Sequence, residues 1–342
     1  RKTPRLRYYS KLYPSTFKIL SLIVKLIRLF LLSLVFLLML GTAGYRYYES
    51  LLHEDLMVPE AGLIVNIQKG DTLNKVLGTL KLQGLIDNTW VAKLYAKDKS
   101  LANKIKVGEF LIEDSMTIPG LLDLITSNKQ IQYQIQFIEG SNYQQLKAVL
   151  DADTRLKHYL KNKRLDEVIK ALALDSDITH LEGQFYPDTY SFNKFDSDIS
   201  ILNRAHQRLQ AILAEEWNER EKGLPLKNAY QALTLASIVE KETGASHERS
   251  EIAGVFIRRL EKGMRLQTDP TVIYGLGDRY QGNIKRKHLR ELTPYNTYRI
   301  NGLPPTPIAM VGRAAIHASV HPDNGKSLYF VAKGDGTHQF SE

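Results

Sequence analysis

The sequence predicts an α+β protein made of an N-terminal transmembrane helix, a small α+β subdomain and a larger mixed α/β domain. Three observations predict it. A basic tail runs into an uncharged apolar block, strand–turn–helix segments recur with glycine at the turn, and a long apolar helix precedes proline-rich loops. The chain has 342 residues, 43% of them hydrophobic, which suffices for two packed units beside a membrane segment.

Residues 1–28 carry Arg1, Lys2, Arg5, Arg7, Lys11, Lys18, Lys25 and Arg28 and no acidic residue. These eight positives account for nearly all of the formal charge of +9, leaving about +1 for residues 29–342. The basic character therefore belongs to a tail, not to a groove on a folded surface, which argues against nucleic acid as a partner. Leu29 to Tyr45 is 17 residues without a charge. Lys25 and Arg28 can snorkel toward an interface, so the span extends back to Ile19. Arg46, Tyr47 and Tyr48 follow as an interfacial girdle. We assign 1–18 to a cytoplasmic basic tail, 19–45 to the transmembrane helix and 46–60 to a linker. The excess of positive charge before the span places the bulk of the chain outside the cytoplasm. The competing assignment is a cleaved signal peptide, for which the tail is long and Gly41-Thr42-Ala43-Gly44 is only a fair cleavage site. The chain has no cysteine, which removes disulfides, thiolate metal sites and a cysteine nucleophile.

In residues 63–80 the apolar positions Ile64, Val65 and Ile67 lead into Gly70-Asp71, and Leu73, Val76, Leu77 and Leu80 follow at helical spacing. This predicts a strand, a tight turn and an amphipathic helix capped by Asp71 or Thr72. The unit recurs 70 residues later, where Gly140, Tyr143, Leu146 and Leu150 match Gly70, Leu73, Val76 and Leu80. A weaker relative lies between them: Phe110-Leu111-Ile112, then Thr117 and Pro119 opening a helix. Residues 61–135 form an α+β subdomain whose start resembles a LysM module, a fold that grips N-acetylglucosamine chains; an ordinary strand–turn–helix remains an equal reading.

Residues 136–225 predict an intermediate subdomain packing on residues 226–342, mostly helical, interrupted by the structured loop LEGQFYPDTYSF at 181–192. Residues 226–342 begin with a helix whose apolar face is Tyr230, Leu233, Leu235, Ala236, Ile238 and Val239. A second helix spans Glu248 to Lys262, and short strands, turns and loops follow Gly263, ending in Leu328–Val331 and a turn at Gly334-Asp335-Gly336.

Three segments can carry chemistry. Glu240 and Glu242 end the first helix of that region. Two residues apart on a helix, they point about 200° apart and cannot face each other. One can lie inward beside Ile238 and Val239, where burial favours the protonated form of a general acid, while the other is solvated; spacing alone leaves a surface role open for both. Gln267, Thr268 and Asp269 group hydrogen-bonding side chains in an otherwise apolar, strand-like run at 264–275, a density that suits the hydroxyls of a sugar, or else an N-cap and turn. Tyr295, Asn296 and Tyr298 precede a loop stiffened by Pro304, Pro305 and Pro307 and offer rings and an amide of the kind carbohydrate clefts use.

The segments IVEKETG, RLQTDPTVIYG, YNTY, GLPPTPI and HPDNGKSLYFVAKGDGTHQF, with the upstream LEGQFYPDTY, resemble the endolytic murein transglycosylases of the MltG (YceG-like) family over roughly residues 60–342. Gln184 departs from that family's pattern, which often has a bulky apolar residue there. The resemblance implies that 226–342 is the YceG-like catalytic region of a mixed α/β catalytic domain. It implies Glu240 as the catalytic residue, and Glu182, Gln267, Thr268, Asp269, Tyr274, Tyr295, Asn296 and Tyr298 as substrate-binding residues. It further implies a lytic transglycosylase, which cleaves MurNAc–GlcNAc bonds within nascent strands and leaves 1,6-anhydro-MurNAc ends, with one carboxyl acting as acid and then base. A hydrolase needs a second carboxylate across the bond. The implied setting is the bacterial inner membrane, single-pass, with peptidoglycan strands as substrate and penicillin-binding-protein synthases as candidate partners.

Two other readings stay in view: a non-catalytic glycan-binding scaffold of the wall-synthesis machinery, and a peptidoglycan hydrolase using Asp269 as second carboxylate. No cofactor and no metal are expected. His317 and His321 have the i, i+4 spacing of zinc-binding helices, but no third ligand accompanies them, and His247-Glu248 lacks the second histidine of HExxH. Gly275–Arg279 has the wrong spacing for a dinucleotide fingerprint.

Overall fold

The computed structural model describes residues 14–175 and 178–342, so the predicted basic tail lies outside the described residues up to residue 13. Its described residues form a mixed helix-and-sheet protein in two compact units that divide between Ile131 and Gln132.

The first unit begins with helix α1, Pro14–Leu52. At 1.5 Å per residue it is about 58 Å long, against about 30 Å of bilayer hydrocarbon. Lys18–Leu52 is long and apolar enough to cross a membrane, and its side chains lie exposed through Leu40. The helix does not stop at Tyr45 as expected: residues 46–52, assigned to a linker, continue it. RYYESLL contains no breaker, and Leu52 is buried in the core of this unit while Tyr48 packs against it. The rest of the unit is strand β1 (Leu63–Ile67), helices α2 (Leu73–Leu82) and α3 (Thr89–Asp98), strand β2 (Gly108–Ile112) and helix α4 (Ile118–Thr126). β1 and β2 pair antiparallel, from Leu63 opposite Ile112 to Ile67 opposite Gly108. Thr72 caps α2 by accepting from Lys75 N–H, as its sequence predicts. Leu77, Leu80, Phe110, Ile112, Leu121 and Leu122 close the core.

The second unit opens on the same order. Strand β3 (Gln132–Gln136), helices α5 (Tyr143–Ala152) and α6 (Leu165–Ala171), strand β4 (Thr189–Asn193) and helix α7 (Asp198–Asn218) repeat the strand–helix–helix–strand–helix sequence of the first. β3 and β4 also pair antiparallel over five residues. The turns before α2 and α5 both need glycine, with φ of 92° at Gly70 and 72° at Gly140. The matching glycines in the sequence thus mark a duplicated topology, and the weaker relative at Phe110–Ile112 with Thr117 and Pro119 falls on β2 and α4 of its first copy.

Then come α8 (Ala229–Glu242), α9 (Arg249–Glu261), α10 (Asp269–Leu276), α11 (Arg286–Arg290), α12 (Arg313–Val320) and a hairpin of β5 (Tyr329–Ala332) with β6 (His338–Ser341). Helices α8, α9 and α12 share one core, built from Leu235, Ile238, Val239, Phe256, Ile316 and Val320 among others. Two expectations change here. The strand-like run at 264–275 contains a helix, because Thr268 takes the N-cap position and Pro270, with its preset φ, sits in the first turn. The stretch expected as strands, turns and loops also holds α12, which buries Ala315, Ile316, Ala318, Ser319 and Val320.

Candidate active site

Asn228 starts α8 by accepting from Gln231 N–H at 2.9 Å, and the helix is buried from Ala232 through Val239. Its last turn delivers Glu240, whose side chain is 6% exposed. Glu240 Oε2 accepts the Gly312 N–H at 3.1 Å, and Arg249 Nη2 lies 3.5 Å from Oε1. Arg249 Nε is buried without a hydrogen-bond partner. The loop carrying Gly312 is pinned from two sides. Ser237 Oγ accepts Ile308 N–H at 3.0 Å and donates to Thr234 O at 2.7 Å. The turn before α5 exchanges backbone bonds with Met310, Gly140 N–H to Met310 O and Met310 N–H to Ser141 O, both 2.8 Å. Burial raises the proton affinity of Glu240 above that of an ordinary carboxylate. The charge of Glu139 adds to this, while the Gly312 N–H and Arg249 oppose it.

Glu242 is not solvated, contrary to the expectation that only one of the two glutamates lies inward. It accepts a hydrogen bond from Thr268 Oγ1, and burial raises its proton affinity as well. The pair points to opposite faces of α8, but each face meets protein. Around Glu242 gather three of the expected binding residues and a fourth nearby. Thr268 N–H donates to Thr297 Oγ1 at 3.0 Å, Tyr298 OH donates to Asp269 Oδ1 at 2.7 Å, and Gln267 N–H donates to Thr297 O at 3.2 Å. Asn296 is wholly buried, and its amide is consumed locally: Nδ2 donates to the carbonyls of His288, Leu289 and Glu291, and Oδ1 accepts Tyr298 N–H. It clamps the loop instead of presenting an amide to a cleft.

Glu182, Tyr274 and Tyr295 lie together on a cleft of about 1140 Å³, also lined by Tyr143, Lys241 and Tyr280. Glu182 is 7% exposed. Both its oxygens accept Tyr143 N–H, at 3.0 and 3.2 Å, and the Tyr274 side chain bonds it too. Burial nevertheless pushes its carboxyl up to about 7. Tyr274 and Tyr295 meet edge to face at 4.8 Å, and Tyr295 OH bonds Thr306 Oγ1 at 2.9 Å. Gly183 brings this loop against the proline-rich one, since a Cβ there would stand 2.5 Å from Pro307 Cβ. Glu240 does not line the large cleft. Its neighbour Lys241 does, and Lys241 also lines an adjoining hollow of about 330 Å³ that includes Glu139.

The sequence misses Glu139, Arg249 and Gly312 as neighbours of Glu240. The signal at hand was Glu139 beside Gly140 in the recurring turn; nothing local marks the other two. His317 and His321 do acquire a third potential ligand, Glu216, with donor atoms within 4.8 Å of one another. Glu216 already accepts from Arg313 Nε at 2.7 Å and bonds His317 Nδ1 at 2.8 Å. A guanidinium on that carboxylate works against a dication, so the cluster is accounted for as an ion-pair network.

The family model described as the YceG-like family matches residues 65–342. A Bacillus subtilis protein named endolytic murein transglycosylase is 29% identical over 89% of this chain and 88% of its own length. A Streptococcus pneumoniae protein of the same name is 26% identical over 90% of this chain, which spans 61% of that relative. A crystal structure of a YceG-like protein from Listeria monocytogenes aligns with a TM-score of 0.49 at 28% identity, covering 83% of this chain and 97% of that one.

Proposed function

The chain belongs to the YceG-like family, and from that premise we propose that it is a membrane-anchored endolytic lytic transglycosylase of peptidoglycan. Its coarse role, murein transglycosylase, rests on the names its relatives carry. The finer reading is cleavage of MurNAc–GlcNAc bonds within nascent strands, with 1,6-anhydro-MurNAc ends. The observation that carries it is Glu240, a sheltered carboxyl of raised proton affinity held by the Gly312 N–H.

A protonated Glu240 can donate to the glycosidic oxygen as the bond to C1 breaks. The carboxylate left behind takes the proton of the same sugar's 6-hydroxyl as O6 closes onto C1. Proton and electron pairs balance without water, so one carboxyl does both transfers. The cleft with Tyr143, Tyr274, Tyr280 and Tyr295 offers ring faces suited to the apolar faces of sugars. Asp269, the candidate base of a hydrolase, is engaged by Tyr298 and neighbours Glu242, not Glu240, which favours the lyase.

The first unit supports a glycan-gripping, LysM-like role through its strand–helix–helix–strand order and a hollow of about 460 Å³ between the start of α2, helix α3 and the 100–103 loop. Helix α1 fits a single-pass anchor in the inner membrane with the N-terminus cytoplasmic, which keeps the enzyme near strands leaving penicillin-binding-protein synthases. The test is Glu240→Gln in the detergent-solubilised chain. It is expected to abolish strand cutting while leaving the far-ultraviolet spectrum and glycan binding intact. Cutting at the wild-type rate by this variant refutes the assignment.

A further inference from the structure

Glu240 is flanked by a second carboxylate, and the flanking is built into the fold. Glu139 lies in the turn between β3 and α5, which Gly140 and Ser141 fasten to Met310 by reciprocal backbone bonds of 2.8 Å. That fastening sets the Glu139 carboxylate against Gly312, where a Cβ would overlap it. Gly312 has φ −74° and ψ 159°, a backbone any residue adopts. The backbone therefore does not require glycine there; the place of the missing side chain is taken by Glu139. The same Gly312 donates its N–H to Glu240. Two carboxylates from elements about a hundred residues apart thus converge on one residue. Three groups face Glu240 from the packed elements: Glu139 from this turn, Arg249 from the start of α9, and the Gly312 N–H from the loop before α12. On its own helix, Lys241 turns its amine to Gly140 O at 3.0 Å. Among the described residues no cation forms an ion pair with Glu139, in contrast to Glu215 and Glu216, which share Arg313.

We propose that Glu139 is a positioning carboxylate of the active site, acting through Glu240 by keeping the reacting proton on it between turnovers. This rests on Glu240 being the acid–base of the proposed reaction. Like charges set close together disfavour a second ionisation, which is how a carboxyl stays protonated near neutrality. The effect of burial on Glu240 has the same sign, so the two reinforce each other. Glu139 takes no direct part in either proton transfer. Glu240 gives its proton to the leaving oxygen and recovers one from the 6-hydroxyl, and the neighbouring charge makes that recovery more favourable.

The experiment compares wild type, Glu139→Gln and Glu139→Asp as detergent-solubilised full chains, with thermal melting to establish that each folds. The alkaline limb of kcat/KM against pH is expected to fall by about one pH unit in Glu139→Gln, an ordinary size for a neighbouring charge. The rate on the acidic plateau stays within about tenfold of wild type, and Glu139→Asp restores much of the limb. A limb that does not move in a folded Glu139→Gln overturns the proposal. So does loss of activity at every pH, which would make Glu139 a group that itself handles the reacting proton. A second readout needs no turnover: infrared difference titration of the Glu240 carboxyl, assigned by its absence in Glu240→Gln, should show the same downward shift. If wild type cuts no glycan but that carboxyl shifts, the proposed function fails and the coupling of Glu139 to Glu240 stands. If wild type cuts and the carboxyl does not shift, the coupling alone fails.

Discussion

Replacing Glu182 with Gln isolates the cost of a charge on the wall of the large cleft. In the unfolded chain this carboxyl ionises near 4.5, whereas in the folded protein burial pushes it up to about 7. Between those values the folded state keeps a proton that the unfolded state has released. The contribution of Glu182 to stability is therefore fully present below about pH 4.5 and is lost as pH rises through about 7. At about 1.4 kcal/mol per pH unit the loss amounts to about 3 kcal/mol. The Gln amide oxygen can still accept Tyr143 N–H, so the substitution removes the titration and keeps the contact. Trp217 packs on the core of the second unit and reports its unfolding once Trp90, in the first unit, is replaced by Phe. Urea denaturation followed by Trp217 fluorescence, at a series of pH values from about 4 to about 8, gives both stability curves. Wild type should weaken relative to Glu182→Gln by about 3 kcal/mol across this window. Glu240 and Glu242 titrate in the same direction but are common to both proteins and cancel in the difference. Parallel curves refute the reasoning, and a difference that grows toward acid reverses its sign.

Two further substitutions test the scaffold and the competing chemistry. Ser237→Ala strands the buried Ile308 N–H and should cost about 1–3 kcal/mol by denaturation, with a loss of activity as the loop to Gly312 loosens. Asp269→Asn should leave the cutting rate within about tenfold of wild type, since its carboxylate serves Tyr298 and lies by Glu242; abolition of activity there would restore the hydrolase reading.

The sequence makes legible what is decided by neighbours a few residues away. Gly70 and Gly140 locate two turns, Thr72 and Thr117 stand at the N-caps of α2 and α4, and the apolar stripe before Glu240 locates α8. It does not disclose what is decided at long range. β3 pairs with β4 across two intervening helices, and nothing local marks that pairing, so the segment 181–192 reads as a loop although β4 begins at Thr189. At 264–275 the apolar run reads as a strand, but the Thr268 cap and Pro270 decide for a helix. Asn296 looks like a sugar ligand because an exposed and a buried amide have the same letter, and only its three backbone carbonyl partners distinguish them. The neighbours of Glu240 are the sharpest case. Glu139, Arg249 and Gly312 come from three separate parts of the chain, and none is marked by spacing around Glu240.

The mass of the glycan ends made by wild type and by Glu240→Gln from uncrosslinked, nascent strands decides whether Glu240 carries out both proton transfers. Wild type is expected to leave anhydro-muramyl ends, lighter by one water than reducing ends, and the variant to leave no new ends. Reducing ends from wild type would contradict a single carboxyl acting twice, and anhydro ends from Glu240→Gln would remove Glu240 from the chemistry.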